Sequence, residues 1–460
     1  MVLGACSSVA NNNNNQTSNT SSQNENSTTA NNGNNSNEGD INNADNTDNQ
    51  NNQTEIANND GNTGDIQEAI DAAGPFDPNQ DVGGFMEGDY DENAVYPIDT
   101  NWTRQSRFAG PEDPEEKWTV ELIDEEYSNE PGQTTPVIGS DGTIYAVTNS
   151  HDEEYDGLHA ITPDGEIKWQ ATDYHKELDV HSGDYHRSPP IISKDGNIWT
   201  RINNDLFAQF DSETGDLNDT FEWESNLGVG PDPTVIGEDN TFYIDNGGMF
   251  GVMKDGDLQW QLGDETNYSE YVFYGPPAVA EDGTIYGIED EHFYAIDEDG
   301  EVKWDNDVIG AIEYSNIQID KEGNVYFIKD SIIYSYTKDG EERWEEDTGS
   351  EYFGEQGTIL TNDDTLIALF EDGLHAYDLD GNEEWHYEPE EPVFEAPIAD
   401  SEGTTYIRSH NAIYAVDKDG ELKWEYKPED ASEYSNIAIG PNNTLYFFTH
   451  KGRMIALGDK

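Results

Sequence analysis

Basic residues are scarce in this 460-residue chain: Lys and Arg total 21 against 99 Asp and Glu, for a formal net charge of −78. A nucleic-acid binder needs a basic face, and this composition can hardly assemble one, so DNA and RNA are poor partners and none is expected. An anionic lipid surface would repel the chain for the same reason. Cys6 is the single cysteine, which rules out an intrachain disulfide and a multi-cysteine zinc site. No apolar run reaches the ~20 residues of a membrane-spanning helix. No G-x-S-x-G elbow is present for nucleophilic catalysis. Aromatics, by contrast, are plentiful: 10 Trp, 25 Tyr and 16 Phe supply a large core.

The acidity itself calls for a cause. Like charges at this density destabilise a compact state by self-repulsion. Salt relieves that strain, because the screening length falls from about 10 Å at 0.1 M to about 3 Å at 1 M. A high-salt habitat is the simplest reading, and a cation-binding surface the competing one.

The segment Leu3-Gly4-Ala5-Cys6 resembles a bacterial lipobox. Residues 1–5 then read as the remnant of a signal peptide, which ordinarily carries a basic region and an apolar stretch. Cys6 becomes the lipidated residue. From Asn11 to Asp60 the chain holds 21 asparagines in 50 residues, and no Lys or Arg occurs before Arg104. Such a stretch lacks apolar surface to offset its ordering entropy. Residues 6–80 are therefore expected to be a disordered Asn-rich linker and 81–115 a connector to the domain that follows.

Beyond residue 115 the sequence repeats. Eight times an apolar segment runs into an acidic turn and then an aromatic-bearing strand. The units begin at Pro136 (PVIGSDGTIY), Pro190 (PIISKDGNIW), Thr234 (TVIGEDNTFY), Pro277 (PAVAEDGTIY), Ile317 (IQIDKEGNVY), Thr358 (TILTNDDTLI), Pro397 (PIADSEGTTY) and Ile437 (IAIGPNNTLY). Asp-Gly and Asn-Asn suit the positive φ values of tight hairpin turns. Each unit continues with a short strand such as LHAI (158–161), another Asp-Gly turn, and a strand carrying Trp169, Trp260, Trp304 or Trp424, with Trp223, Trp344 and Trp385 closing the others. Four strands in about 40 residues make a propeller blade. The last unit lacks its Trp strand, while Trp118 lies in one ahead of the first. The arithmetic predicts an all-β, eight-bladed propeller over residues 116–460, closed by the N-terminal strand.

The repeat P-x-[VI]-x-x-D-G-x-[IV]-Y followed by A-[IV]-D-x-D-G-x-[LVI]-K-W resembles the pyrroloquinoline quinone (PQQ)-like propeller repeat, over roughly three quarters of the chain. With the lipobox, the layout is similar to that of the BamB-like lipoproteins, which implies a scaffolding or assembly role at the cell envelope. Quinone-dependent members of the family use the fuller motif A-x-D-x-x-T-G-x-x-x-W and an adjacent-cysteine disulfide. Here the nearest match is Ala208 to Gly215, and Trp223 follows too late for that motif. The resemblance thus implies a PQQ-like fold without PQQ.

Three groups of residues are candidate sites. After Trp169 a long loop holds His175, Asp179, His181, Asp184 and His186, an imidazole–carboxylate mixture suited to a transition metal; a water-facing polar loop accounts for the same residues. Three D-x-D-G turns (297–300, 378–381, 417–420) echo the opening of calcium loops but lack an EF-hand's later ligands, so Ca2+ is a possible ligand. Finally, Tyr274, Tyr314, Phe394 and Tyr434 recur at one repeat position, beside Glu313, Glu395 and Glu433. They form an aromatic, acidic rim for partner recognition or pack between blades. Gln133, Arg187, Pro231 and Glu355 break the pattern in the remaining units.

With no catalytic constellation, the sequence reads as a surface-anchored, non-enzymatic, monomeric propeller that binds an envelope protein or peptide. It would touch membrane only through a lipid at Cys6. The alternatives are an extracellular carbohydrate-active or quinone-dependent enzyme, or a glycan- or cation-binding module.

Overall fold

A computed structural model describes residues 104–123, 132–149, 156–178, 180, 189–193, 195–202, 206–222, 234–237, 241–245, 250–254, 256–262, 277–280, 282–289, 292–308, 316–329, 331–350, 357–393, 396–409, 411–428, 437–449 and 452–460. They form eight antiparallel sheets, the blades of a propeller. Blade 1 has an inner strand A (Val137–Ile138), then B (Ile144–Asn149), C (Gly157–Ile161) and an outer strand D (Ile167–Ala171). A further short strand, Gly132–Gln133, also pairs with strand B. Blades 2 to 7 repeat the A–B–C–D order along the chain. Blade 8 takes Ala438–Gly440, Thr444–Phe448 and Arg453–Asp459 from the C-terminus, and its outer strand is Pro114–Glu121 from the N-terminal side. Trp118 pairs with Ala456 in that closure, so the ring leaves no free outer edge at its last blade. Among the described residues the single helix is the five-residue Tyr174–Leu178, and no helix there is long and apolar enough to cross a membrane.

The burial pattern follows from blades packing face to face. B and C strands are covered on both sides, so Val325–Lys329 and Gly373–Tyr377 are buried throughout. Outer strands alternate, as in Val302–Asp307, because one edge faces water. The core is accordingly a ring of layers between blades. Ile359, Leu374 and Ala376 of blade 6 meet Ile407, Tyr414 and Val416 of blade 7. Phe293 and Tyr286 of blade 4 meet Phe327 and Tyr336 of blade 5. Inner strands are tied by polar bonds: Asn316 Nδ2 donates to Thr358 O at 2.9 Å, and Thr358 N donates back to Asn316 Oδ1 at 3.1 Å.

Every outer strand carries a β-bulge at the same place, one residue before the position of the repeat's tryptophan. The bulge turns the following side chain onto the neighbouring blade. The bulged residue is Lys117, Lys168, Lys303, Arg343 or Lys423 in five blades, a sizeable draw on only 21 basic residues. Lys168 reaches Glu213 of blade 2 at 3.2 Å and Asp141 of its own blade at 3.6 Å. Arg343 Nη1 donates to Tyr326 Oη at 2.6 Å, and Nη2 donates to Leu379 O of blade 6 at 3.2 Å. Lys168 and Arg343 thus stitch adjacent blades of an acidic chain.

Residues 104–113, expected within a connector, pack on the propeller. Gln105 bridges Ala399 of blade 7, and Ser106 Oγ donates to Ile439 O of blade 8 at 3.0 Å. Asp400, 1 % exposed, accepts Gly110 N and Tyr406 Oη on one oxygen and Glu402 N and Thr404 N on the other. Four donors satisfy this buried carboxylate and fix the N-terminal segment to it.

Candidate functional site

The repeat's tryptophans lodge between blades. In each case the indole Nε1–H donates to a carbonyl in the C–D turn of the next blade: Trp169 to Ser212 at 2.9 Å, Trp260 to Glu298 at 2.7 Å, Trp304 to Lys338 at 3.1 Å, Trp344 to Leu379 at 3.0 Å, Trp385 to Lys418 at 2.9 Å and Trp118 to Pro163 at 2.8 Å. The turn glycine lies flat on the ring. At Gly165 a Cβ would sit 2.7 Å from the Trp118 indole, and its φ of +84° is open to glycine alone without strain. The indole also meets its own blade's B-strand tyrosine, as in Tyr145–Trp169 and Tyr406–Trp424.

Two interfaces depart from this scheme. Trp223 was expected to close blade 2, but the strand register puts Asp219 opposite Gln209, in the tryptophan position. The bulge, fixed by its distance from the turn, sets that register, and Trp223 comes too late and lies outside the described residues. Phe221 fills the interface instead, stacked on Phe207 at 4.8 Å and edge-on to Phe242 at 4.9 Å. At the seam, Trp424 has no C–D turn to meet, because blade 8 is split between the chain's two ends. Its Nε1–H donates to Pro111 O at 2.7 Å. Asp459 Oδ1 accepts Glu112 N and Asp113 N at 2.7 and 2.9 Å, as Asp297, Asp378 and Asp417 accept backbone N–H groups within intact turns. The ends rebuild a turn without a covalent link. Partial burial works to raise the pKa of Asp459, and the hydrogen bonds it accepts outweigh that and keep it below the usual carboxylate value.

The remaining sequence candidates fall largely outside the described residues. This holds for Cys6, for the rim residues Tyr274, Tyr314, Phe394, Tyr434, Glu313, Glu395 and Glu433, and for Asp179, His181, Asp184 and His186. His175 lies in the short helix Tyr174–Leu178, its side chain outside the description. Asn316, which ends the segment Glu313–Asn316, is fully buried and serves the inner-strand bonds to blade 6. In the D-x-D-G turns, the first Asp of each is engaged by its own backbone.

The sequence reading missed a polar cluster on blade 6. Asp372 sits in the B–C turn, His375 on strand C (Gly373–Tyr377), and Glu383 and His386 on strand D (Glu383–Tyr387). His375 faces His386 across the strand pair, and their rings stack at 4.1 Å and 17°. Asp372 Oδ1 lies 3.0 Å from His375 Nε2, and Glu383 Oε1 lies 3.0 Å from His375 Nδ1. Ser350 Oγ donates to Asp372 Oδ2 at 2.8 Å, and His386 Nε2 is 3.2 Å from Asp372 O. Partial burial works to raise the Asp372 pKa, but the contacts with His375 and Ser350 outweigh it and hold the carboxyl below its usual value. Among the described residues, Asp372, His375 and His386 form the one group with three metal-capable donor atoms, all within 4.8 Å of one another. Its signal in the sequence was D-x-x-H with a second histidine eleven residues on, inside a strand pair that the repeat had already explained.

The family model described as "Outer membrane protein assembly factor BamB" matches residues 329–459. The chain is 38 % identical over 100 residues to the uncharacterized protein YxaL of Bacillus subtilis (strain 168), across 20 % of this chain and only 21 % of YxaL. BamB from Moraxella catarrhalis superposes with a TM-score of 0.51 at 15 % identity, covering 75 % of this chain and 97 % of that one. The quinohemoprotein alcohol dehydrogenase of Comamonas testosteroni gives 0.60 at 12 % identity, covering 86 % and 85 %. At such identities the structural likeness is one of fold. Four-stranded blades and indoles docked on turn glycines make the described residues an eight-bladed β-propeller, similar in fold to these proteins, and its residues 329–459 match the BamB family model.

Proposed function

We propose that the chain is a surface-anchored, non-enzymatic scaffold that binds a protein or peptide partner at the cell envelope. The observation that carries this reading is the match of residues 329–459 to the BamB family model. The use of the aromatics supports it: the seven docked indoles, Trp118, Trp169, Trp260, Trp304, Trp344, Trp385 and Trp424, are committed to blade contacts. A quinone cradle of the dehydrogenase kind does not fit this chain, whose single cysteine cannot form an adjacent-cysteine disulfide. In this reading Cys6 carries the anchor, the Asn-rich segment is the spacer, and the rim of Tyr274, Tyr314, Phe394 and Tyr434 meets the partner on a rigid scaffold.

The test is an affinity capture from native envelope extract at high salt, with the full chain as bait and a Tyr314→Ala/Tyr434→Ala double variant beside it. The expected result is a specific protein partner that the double variant loses. Capture of none by either bait overturns the scaffold reading in favour of a small ligand. Turnover of polysaccharide, or a quinone absorbance in protein purified from its source, overturns it in favour of an enzyme.

A further inference from the structure

We propose that Asp372, His375 and His386 form a water-accessible site for one divalent transition-metal ion of the zinc or cobalt class, on the outer part of blade 6. The donor set is chemically selective: two imidazole nitrogens with one carboxylate suit zinc and its neighbours, whereas calcium and magnesium prefer all-oxygen sites. Bonds of about 2.1 Å to a tetrahedral ion place donors about 3.4 Å apart. His375 Nε2 and Asp372 Oδ1 already stand 3.0 Å apart. His386 Nε2 lies 4.0 Å from Asp372 Oδ2. Asp372 and His386 are both partly exposed, at 42 % and 35 % of their side chains.

The partners of the would-be ligands are those a metal site requires. A metal-bound imidazole usually donates its other N–H to a carboxylate, and a bound carboxylate is itself hydrogen-bonded. His375 Nδ1 faces Glu383 Oε1 at 3.0 Å, and Asp372 Oδ2 accepts from Ser350 Oγ at 2.8 Å. Ionised carboxylates can only accept, and a neutral imidazole has one N–H. His375, 8 % exposed in its side chain, therefore satisfies both acceptors only as an imidazolium, or gives Nδ1–H to Glu383 and its Nε2 lone pair to a cation shared with Asp372.

Blade 1 is an internal control. It places Asp156, His159 and Gln170 at the positions of Asp372, His375 and His386, with the same cross-strand pairing. His159 is fully enclosed there, with Thr148 Oγ1 2.6 Å from Nε2 and Gln170 Nε2 3.0 Å from Nδ1. The fold therefore asks only for a Gln where blade 6 has His386. The second imidazole, Glu383 behind the first, and the opening to solvent belong to blade 6.

Co2+ titration of the full chain, followed by its visible d–d absorption, tests the site. Molar NaCl and excess Mg2+ suppress diffuse binding to the acidic surface. The expected result is saturation by a single equivalent, displaced by Zn2+, with the signal lost in His386→Gln. That variant copies blade 1 and keeps the fold, with Asp372→Asn as a second ligand variant. Glu383→Gln should weaken Co2+ by about 10- to 100-fold without removing its spectrum. No saturable signal in the unaltered chain overturns the proposal. So does an unchanged signal in both ligand variants, which would assign the ion to other residues such as His175, His181 and His186.

Discussion

At the scale of single residues, His159 shows how burial rather than sequence sets chemistry. Enclosure in blade 1 pushes its pKa down to about 4, against a smaller opposing effect of Asp156. Gln170 donates to Nδ1 and the Nε2–H donates to Thr148 in the neutral ring, so the folded state has no place for a second proton. An unfolded histidine takes up that proton near its ordinary value of about 6.5. The contribution to stability is thus full above pH 6.5 and is lost as the pH falls through about 4. Its size is of the order of 3 kcal/mol. Urea unfolding at stepped pH should show this acid slope, and His159→Gln should flatten it between about pH 6.5 and 4. A variant with the full slope would mean that other groups set it.

At the scale of elements, the C–D turn and the tryptophan it covers are one unit, and Gly165 in such a turn set against Gly196 in an A–B turn separates its two energy terms. Gly165 and Gly196 have nearly equal φ values, +84° and +80°, so alanine suffers the same backbone strain at both, of order 1–2 kcal/mol. A Cβ at Gly196 meets nothing within 4 Å, whereas at Gly165 it strikes the Trp118 ring at 2.7 Å. Gly165→Ala should therefore destabilise by about 1–3 kcal/mol more than Gly196→Ala, the range for overpacking. Equal midpoints in denaturant would show that the indole gives way freely. The blade pattern was legible because alternating strands, Asp-Gly turns and recurring Trp all point one way. The register of blade 2 was not: its longer turn (Asp211–Asp216) moves no bulge, so Asp219 takes the position that counting Trp residues had given to Trp223.

At the scale of the whole molecule, charge and closure dominate. The net charge is −78 with all 21 Lys and Arg counted, so repulsion acts on the folded ring and salt should screen it. The melting temperature should rise by several degrees between 0.1 M and 1 M NaCl, the range over which the screening length falls from about 10 Å to about 3 Å. A flat or falling curve would show that the acids are offset by bound cations or are far enough apart not to repel. Closure adds a second global property. Blade 8 is held by Pro114–Glu121, and its split turn by Asp459 and the Pro111 carbonyl, so both ends of the described chain are structural.

The sequence by itself determined the blade count, the hairpin turns and the N-terminal strand that completes the ring. Each of these follows from local periodicity and turn chemistry repeated eight times. It also determined that no intrachain disulfide can form, since Cys6 is the single cysteine. Only the tertiary structure decided that residues 104–113 belong to the propeller, because Gly110 and Glu112 donate to Asp400 and Asp459 from more than 280 positions away. It alone brought Asp372, His375 and His386 together, since cross-strand pairing joins a turn to two strands whose spacing matches no contiguous ligand motif. The difference is physical: periodic patterns record what each strand faces, whereas a site made of pairs across strands is set by register, which one bulge can shift.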